Sequence, residues 1–414
     1  VYHKTLSAAM ASLPSDDDVV TLLDDCQLTA QVGIVNGVSA ILSSEKPVKI
    51  TWEDADAGFF NVSSGAELTI KGQITIQGNY PVAGTEGVAS ASLYAFNVNG
   101  ILNIGEKGAA DAESPKVQGF NTAALNTDGY PANGTGGAMY VSKGGMVNFY
   151  SGILSGNTSS FGGAIYASGE GTVVNLYGGE ISGNVARYGA GIAVRTNAVV
   201  NLSGTTICRN QADNIGVEKV FTSRDGAGVY LDGAAKLFMT DGSISENSAK
   251  NGMGGGVYLS GAGTEAVMTG GSISKNVATT DSAVWNGSQA RGGGVYLSGA
   301  SFTLVDGEIA ENQCVKENGS ANNAVAAGGI SVSGSSNNQG VFTMEGGRVT
   351  GNSCPNNGGG VYITNYGTAK LVGGLIKNNT AATGGGVYMA QSTAGGEVLE
   401  FSDHPVIIDN QSLT

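Results

Sequence analysis

The chain has 414 residues, 68 of them glycine, and a net charge of −14 with only 20 lysines and arginines. That acidic balance argues against nucleic acid or an anionic membrane surface as a partner. No apolar run approaches the ~20 residues that a membrane helix needs, so this segment is expected not to insert into a bilayer.

From the N-terminus, Lys4 to Leu13 reads as a short amphipathic helix, followed by Pro14 and the acidic residues Asp16, Asp17 and Asp18. Val19 to Leu23 then reads as a strand. Residues 1–30 suit a cap that keeps the first edge of a sheet from pairing with another chain. Loosely repeating strands follow through Ile34 to Ile41, Val48 to Ile50, Phe59 to Val62 and Leu68 to Ile76.

From Gly136 onward one phrase dominates. It runs Gly-Gly-Gly-Val-Tyr-Leu, a gap, apolar-x-apolar, Gly-Gly and Ile-x-x-Asn, and it closes on Asn157, Asn184, Asn210, Asn247, Asn276, Asn312, Asn352, Asn379 and Asn410. A unit of 26 to 40 residues repeated this often indicates a solenoid. Counting back from each closing asparagine, apolar residues recur at ten, eight and three positions earlier, as in Val174, Leu176 and Ile181 before Asn184. Alternate apolar positions belong to strands with one buried face. In the Gly-rich strand, Val257 and Leu259 point inward, so Tyr258 points outward.

No helical period interrupts these units. The expected fold is all-β: a right-handed parallel β-helix of about a dozen three-strand coils over residues 31–414, with the helical cap before it. At ~4.8 Å per coil the rod spans roughly 60 Å. The asparagine column is best read as a structural ladder at a corner, since asparagine readily bonds turn backbone and stacked amides. No cap is visible after Asn410, which points to a further domain. The charges before the closing asparagines, Arg209, Glu246, Lys275 and Glu311, alternate in sign and read as an exposed ion-pair ladder worth little per pair.

Four cysteines occur, at Cys26, Cys208, Cys314 and Cys354. Cys314 and Cys354 each lie two residues after a closing asparagine, so stacking sets their Cα atoms ~5 Å apart, within disulfide range. A bridge and two free thiols are equally compatible with that register. The other two read as small buried hydrophobes.

The phrases Gly162-Gly163-Ala164-Ile165 and Ile181-x-x-Asn184 resemble the GGAI and FxxN repeats of chlamydial polymorphic outer-membrane proteins. The wider phrase is similar to repeats in large surface proteins of Gram-positive gut bacteria. The resemblance covers about residues 136 to 410, with Ile or Val where the chlamydial motif has Phe and with no translocator barrel. It implies a secreted bacterial β-helix displayed at the cell surface, commonly an adhesin, attached through regions outside this chain. Its motifs are structural and identify no ligand.

Segment lengths after the closing asparagines locate a candidate site. They are four residues after Asn157 and Asn184, against 14 after Asn121 and 15 after Asn210. Two walls of long loops would then flank a low saddle roughly 14 Å wide, three coil rises. Its floor would carry Phe161, Arg187 and Tyr188, with Tyr140 and Tyr166 on the adjoining strand. Tyr130 would lean in from one wall, Phe221 and Arg224 from the other. Rings beside a cation suit a sugar chain or a peptide; alternatively, loop lengths drift freely and the rings tuck beneath them. The outward tyrosines Tyr230, Tyr258, Tyr296, Tyr362 and Tyr388 read chiefly as a stacked structural column. Trp285 reads as an exposed anchor or as a plug over them.

Catalysis finds little support. His3 and His404 lie at opposite ends, so no Ser-His-Asp or Cys-His set assembles. Asp241 and Asp306 share a register two coils apart, about 10 Å, slightly beyond an inverting carboxylate pair. Both precede glycine, where Asp-Gly is simply a turn signal. The leading expectation is a monomeric, non-catalytic recognition solenoid for a host surface protein or glycan, with no cofactor and no metal. A polysaccharide lyase or hydrolase is the alternative, and a passive stalk the third.

Overall fold

The computed structural model describes residues 3–12, 18–52, 58–78, 94–122, 134–213, 224–281, 289–317, 325–391 and 395–413. It is a parallel β-solenoid, nearly all strand, with one short N-terminal helix. Every pairing between named strands is parallel; for example, Val229–Asp232 pairs with Val257–Ser260, which pairs in turn with Val295–Ser298.

Three sheets enclose the core. The Gly-rich strands stack into a first sheet of 12, from Val32–Ile34 to Val387–Met389. The two following apolar segments share a second sheet of 20 strands. In some coils one strand bends through both segments, as in Lys236–Ser245; in others they are separate, as in Met146–Phe149 and Ile153–Ser155. The inward positions read from the repeat are sealed: Val174, Leu176, Ile181, Phe342 and Met344 have no exposed surface. Phe60 stacks on Phe96 with ring centroids 5.3 Å apart, and Phe302 on Phe342 at 5.8 Å, so the core is itself columnar.

The third sheet corrects the sequence reading. The segments after the closing asparagines begin as strands, not corner loops. Thr158–Phe161 pairs with Val185–Tyr188, and nine such strands, with Ala290–Arg291 and Val325–Ala326, form an 11-stranded sheet. Its inward column holds only small residues, among them Ser159, Ala186, Ala212, Ala249, Ala278 and Ala381, all fully buried. Without large apolar side chains the alternation carries little hydropathy signal. Cys314 and Cys354 belong to the same column and are free thiols, so no bridge joins them. The Cys314 thiol instead donates to the Ala327 carbonyl, 3.0 Å away.

At the junction of the second and third sheets runs the asparagine ladder, completely buried from Asn157 to Asn379. Asn247 shows the pattern. Its backbone N–H and its Nδ2 both donate to Oδ1 of Asn276, at 3.0 and 2.9 Å, and Nδ2 also donates to the Ile207 carbonyl of the preceding coil, at 3.0 Å. One side chain thus binds three successive coils. The residue before each asparagine adopts positive φ in all nine coils, whether it is Gly156, Arg209 at 55°, Lys275 at 57° or Asp409 at 53°. The charges there serve a turn that disfavours side chains. Arg209 still bridges Glu180 at 2.8 Å and Glu246 at 3.8 Å, on the exposed surface where such pairs contribute little.

The residue that opens each Gly-rich phrase also has positive φ and is usually glycine, and a Cβ on Gly292 would collide with the Val295 carbonyl oxygen. The matching position one coil later is Ala327, at φ 62°. At the N-terminus, Leu6–Ala11 is helical, with Thr5 accepting from the Ala8 N–H at 3.2 Å. Leu6 and Met10 join Leu22, Leu28 and Val32 in the main core. Strand pairing has already begun at Asp18–Thr21, which lies beside Ala40 to Ser43.

Two outcomes follow for stability. Asn276→Ala strips two donors on Asn247 of their acceptor and leaves the Ile244 carbonyl without its amide. At ~1–3 kcal/mol per buried unsatisfied group, a loss of about 3 kcal/mol is expected in denaturant unfolding. Ala327→Gly relieves a left-handed alanine and should raise the urea midpoint, by about 1 kcal/mol of stability.

Candidate functional site

The sequence-derived site residues converge where the third sheet turns into the first. Phe161 and Tyr188 are register partners on neighbouring coils, and their rings stack at 5.0 Å. Tyr140 and Tyr166 stack at 5.5 Å on the adjoining strands, preceded by Tyr94 at 5.7 Å from Tyr140. In the next coil the column loses its ring, because Ala193 stands between Tyr166 and Tyr230. Tyr188 comes across from the third sheet and places its ring 5.2 Å from Tyr230, tilted by 46°. Tyr230, Tyr258 and Tyr296 continue it at 5.1 and 5.3 Å, Ser331 interrupts it, and Tyr362 with Tyr388 closes it.

Two guanidiniums lie over this patch. Arg187 sits 4.8 Å from the centre of the Tyr188 ring, and Arg195 sits 4.9 Å from that of Phe161. Such cation–π contacts contribute ~0.5–1 kcal/mol each when partly exposed. Arg195 is fixed by Asp232 on the next coil, Nε to Oδ1 at 2.7 Å. The other Asp232 oxygen accepts from the Tyr230 hydroxyl at 3.2 Å. Burial, reinforced by Asp232, pushes the Tyr230 phenol up, so it stays a donor at neutral pH. Burial also raises Tyr188, with Arg187 working against it. The buried Arg187 Nε finds no hydrogen-bond partner among the described groups.

Arg195, Tyr230 and Asp232 were missed as members of this cluster. Arg195 and Asp232 are register partners at the ends of Gly-rich strands, and aligning coils on that strand brings opposite charges together. Arg224 differs from its expected place on a wall. It is 3 % exposed, donates to the Lys250 carbonyl at 3.3 Å and lies 4.0 Å from Asp213. Burial lowers its pKa, Asp213 opposes that shift, and Arg187 adds to it. Arg224 therefore supports the patch from beneath. Tyr130, Phe221 and Trp285 lie outside the described residues, as do most of the long loops that would form the walls.

Asp241 and Asp306 are exposed, each accepts at 2.7 Å from the N–H of its own following glycine, and Thr269 lies on the strand between them. Among the described residues no group of three His, Cys, Asp or Glu side chains is placed to hold a metal ion. Among the described residues no helix is long and apolar enough to cross a membrane. No protein-family model, curated protein or solved structure matches the chain.

The thiols provide a pH signature. Burial pushes Cys208 up to about 11, with Glu180 adding to the shift, and pushes Cys26 up to about 11, with Asp25 adding. A thiol raised in the fold favours the protonated native state, so its contribution is complete below the unfolded value of 9.0 and is lost as pH climbs toward 11. The melting temperature should fall across that window, and fall less steeply in Cys208→Ala than in the parent protein.

Proposed function

We propose that this chain is an extracellular, surface-displayed recognition solenoid that binds a host surface protein or glycan without chemically altering it. The reading rests on one observation: a row of stacked rings, partly exposed at Phe161, Tyr188 and Tyr230 and crossed by two guanidiniums, in a chain with a net charge of −14. Arg187 and Arg195 lie over the rings, while Arg224 and Lys250 close by are engaged with Asp213, in a chain that is otherwise poor in cations. A ligand combining a flat face with a negative charge matches that surface, as an acidic sugar or an acidic peptide segment does. Stacked tyrosines hold their rings rigid before binding, which limits the entropy lost on contact. The resemblance of the repeat to bacterial surface proteins supports the location.

Catalysis lacks comparable support, because Asp241 and Asp306 are each engaged in their own turns. The test is retention on a panel of glycans and host surface proteins. Phe161→Ala with Tyr188→Ala should weaken binding to the retained ligand by about tenfold or more, the scale of aromatic hot spots. The far-UV spectrum should stay unchanged. New reducing ends or unsaturated sugars in the incubation would overturn the non-catalytic reading, and retention indifferent to both rings would overturn the site. A protein that retains nothing would be the passive stalk.

A further inference from the structure

The second sheet carries a different surface, far simpler in chemistry. Over four successive coils its outward positions form regular rows. Asn103, Asn148, Asn175 and Asn201 make one row, each of the last three donating Nδ2 to Oδ1 of the preceding asparagine at 2.8 Å. Beside it runs an aliphatic row of Ile101, Met146, Val173 and Val199, in register and partly exposed. On the other side Tyr150 and Tyr177 stack at 5.0 Å, with Tyr177 47 % exposed.

None of these ten outward side chains carries a charge, although the protein carries −14. Charge returns at both ends. Asn103 donates to Glu67 at 2.6 Å, and the coil after Val199 brings Lys236, paired with Glu265 at 2.6 Å. The neutral strip is thus three coil rises long, about 14 Å.

We propose that this strip binds a neutral, hydroxyl-rich polysaccharide laid along the solenoid axis. Asn148 and Asn175 each use one N–H and one lone pair on their neighbours and so keep a second of each, Asn201 keeps both lone pairs, and Asn103 spends its amide on Glu67 and Thr69. That array offers alternating donors and acceptors at the ~4.8 Å coil spacing, a repeat comparable to one sugar ring. Hydroxyl groups both donate and accept, so a sugar chain satisfies such an array where an ion or an apolar partner does not. The tyrosine pair and the aliphatic row take the C–H faces of the rings. A charged glycan would exchange its hydration for a surface without counter-charge, which selects neutral chains. The site is separate from the ring and guanidinium patch and does not depend on it.

The experiment is affinity electrophoresis and pull-down of the whole chain with neutral polysaccharides (cellulose, chitin, xylan, mannan) and anionic ones (pectate, hyaluronate). Retention by at least one neutral polymer is expected, weakened about tenfold by Tyr177→Ala and by Val173→Glu, which sets a charge mid-strip. Both positions face solvent, so the melting temperature reports independently that the fold is intact. The Phe161→Ala with Tyr188→Ala protein should keep this binding, which separates failure here from failure of the other site. Absence of retention on every neutral polymer, equal binding to the anionic ones, or indifference to both strip substitutions would overturn the proposal.

Discussion

The constraint on which the rest depends is the parallel, in-register pairing of each coil with the next. Parallel strands leave no freedom of slippage once one face is buried, because a shift of one residue would turn every inward side chain outward. Here the register is fixed twice, by the apolar columns and by the asparagine ladder. The ladder is the more specific of the two, since an amide that bonds three coils tolerates no displacement. Low local dielectric makes those bonds strong and makes a missing partner costly.

That arrangement separates vertical register from chain length. Successive ladder asparagines are as few as 26 and as many as 40 residues apart, yet their side-chain bonds stay near 3 Å. The described strands of all three sheets keep parallel pairing across these unequal spacings. Positive-φ positions complete the corners. Most are glycine, but the residue before the closing asparagine is charged in several coils, a strain the surrounding bonds hold in place. Both proposed surfaces inherit their spacing from this frame: the rings of one and the amides of the other repeat because the backbone repeats.

Much of the fold was legible in the sequence because its signal is redundant. Val147, Val174 and Val200 recur at the same offset from Asn157, Asn184 and Asn210, and all are fully buried. The third sheet was not legible, since its inward column of Ser159, Ala186 and Ala249 is too small to stand out by hydropathy. Phe161, Arg187 and Tyr188 were found by segment length, and they do meet, though on strands instead of a loop floor. Arg195 and Asp232 were missed because coils of unequal length hide their register, 37 residues apart. The outer asparagines were passed over for a simpler reason: an outward polar side chain carries no burial signal, and only side-by-side coils reveal that Asn148, Asn175 and Asn201 form a line.

Ala193 leaves a missing rung in a colonnade of tyrosines, and a side chain borrowed from another sheet sets its ring against Tyr230, one neighbour of that gap. Tyr166 and Tyr230 are anchored in their own strands, two coils apart, whereas Tyr188 belongs to neither. The level at which the row loses its ring is therefore bordered by side chains of two kinds, the Tyr188 ring against Tyr230 and the Arg195 guanidinium bonded to Asp232. Omitting one tyrosine at Ala193 brings a cation and a ring from the neighbouring sheet to the same coil, which is where the row changes its chemistry.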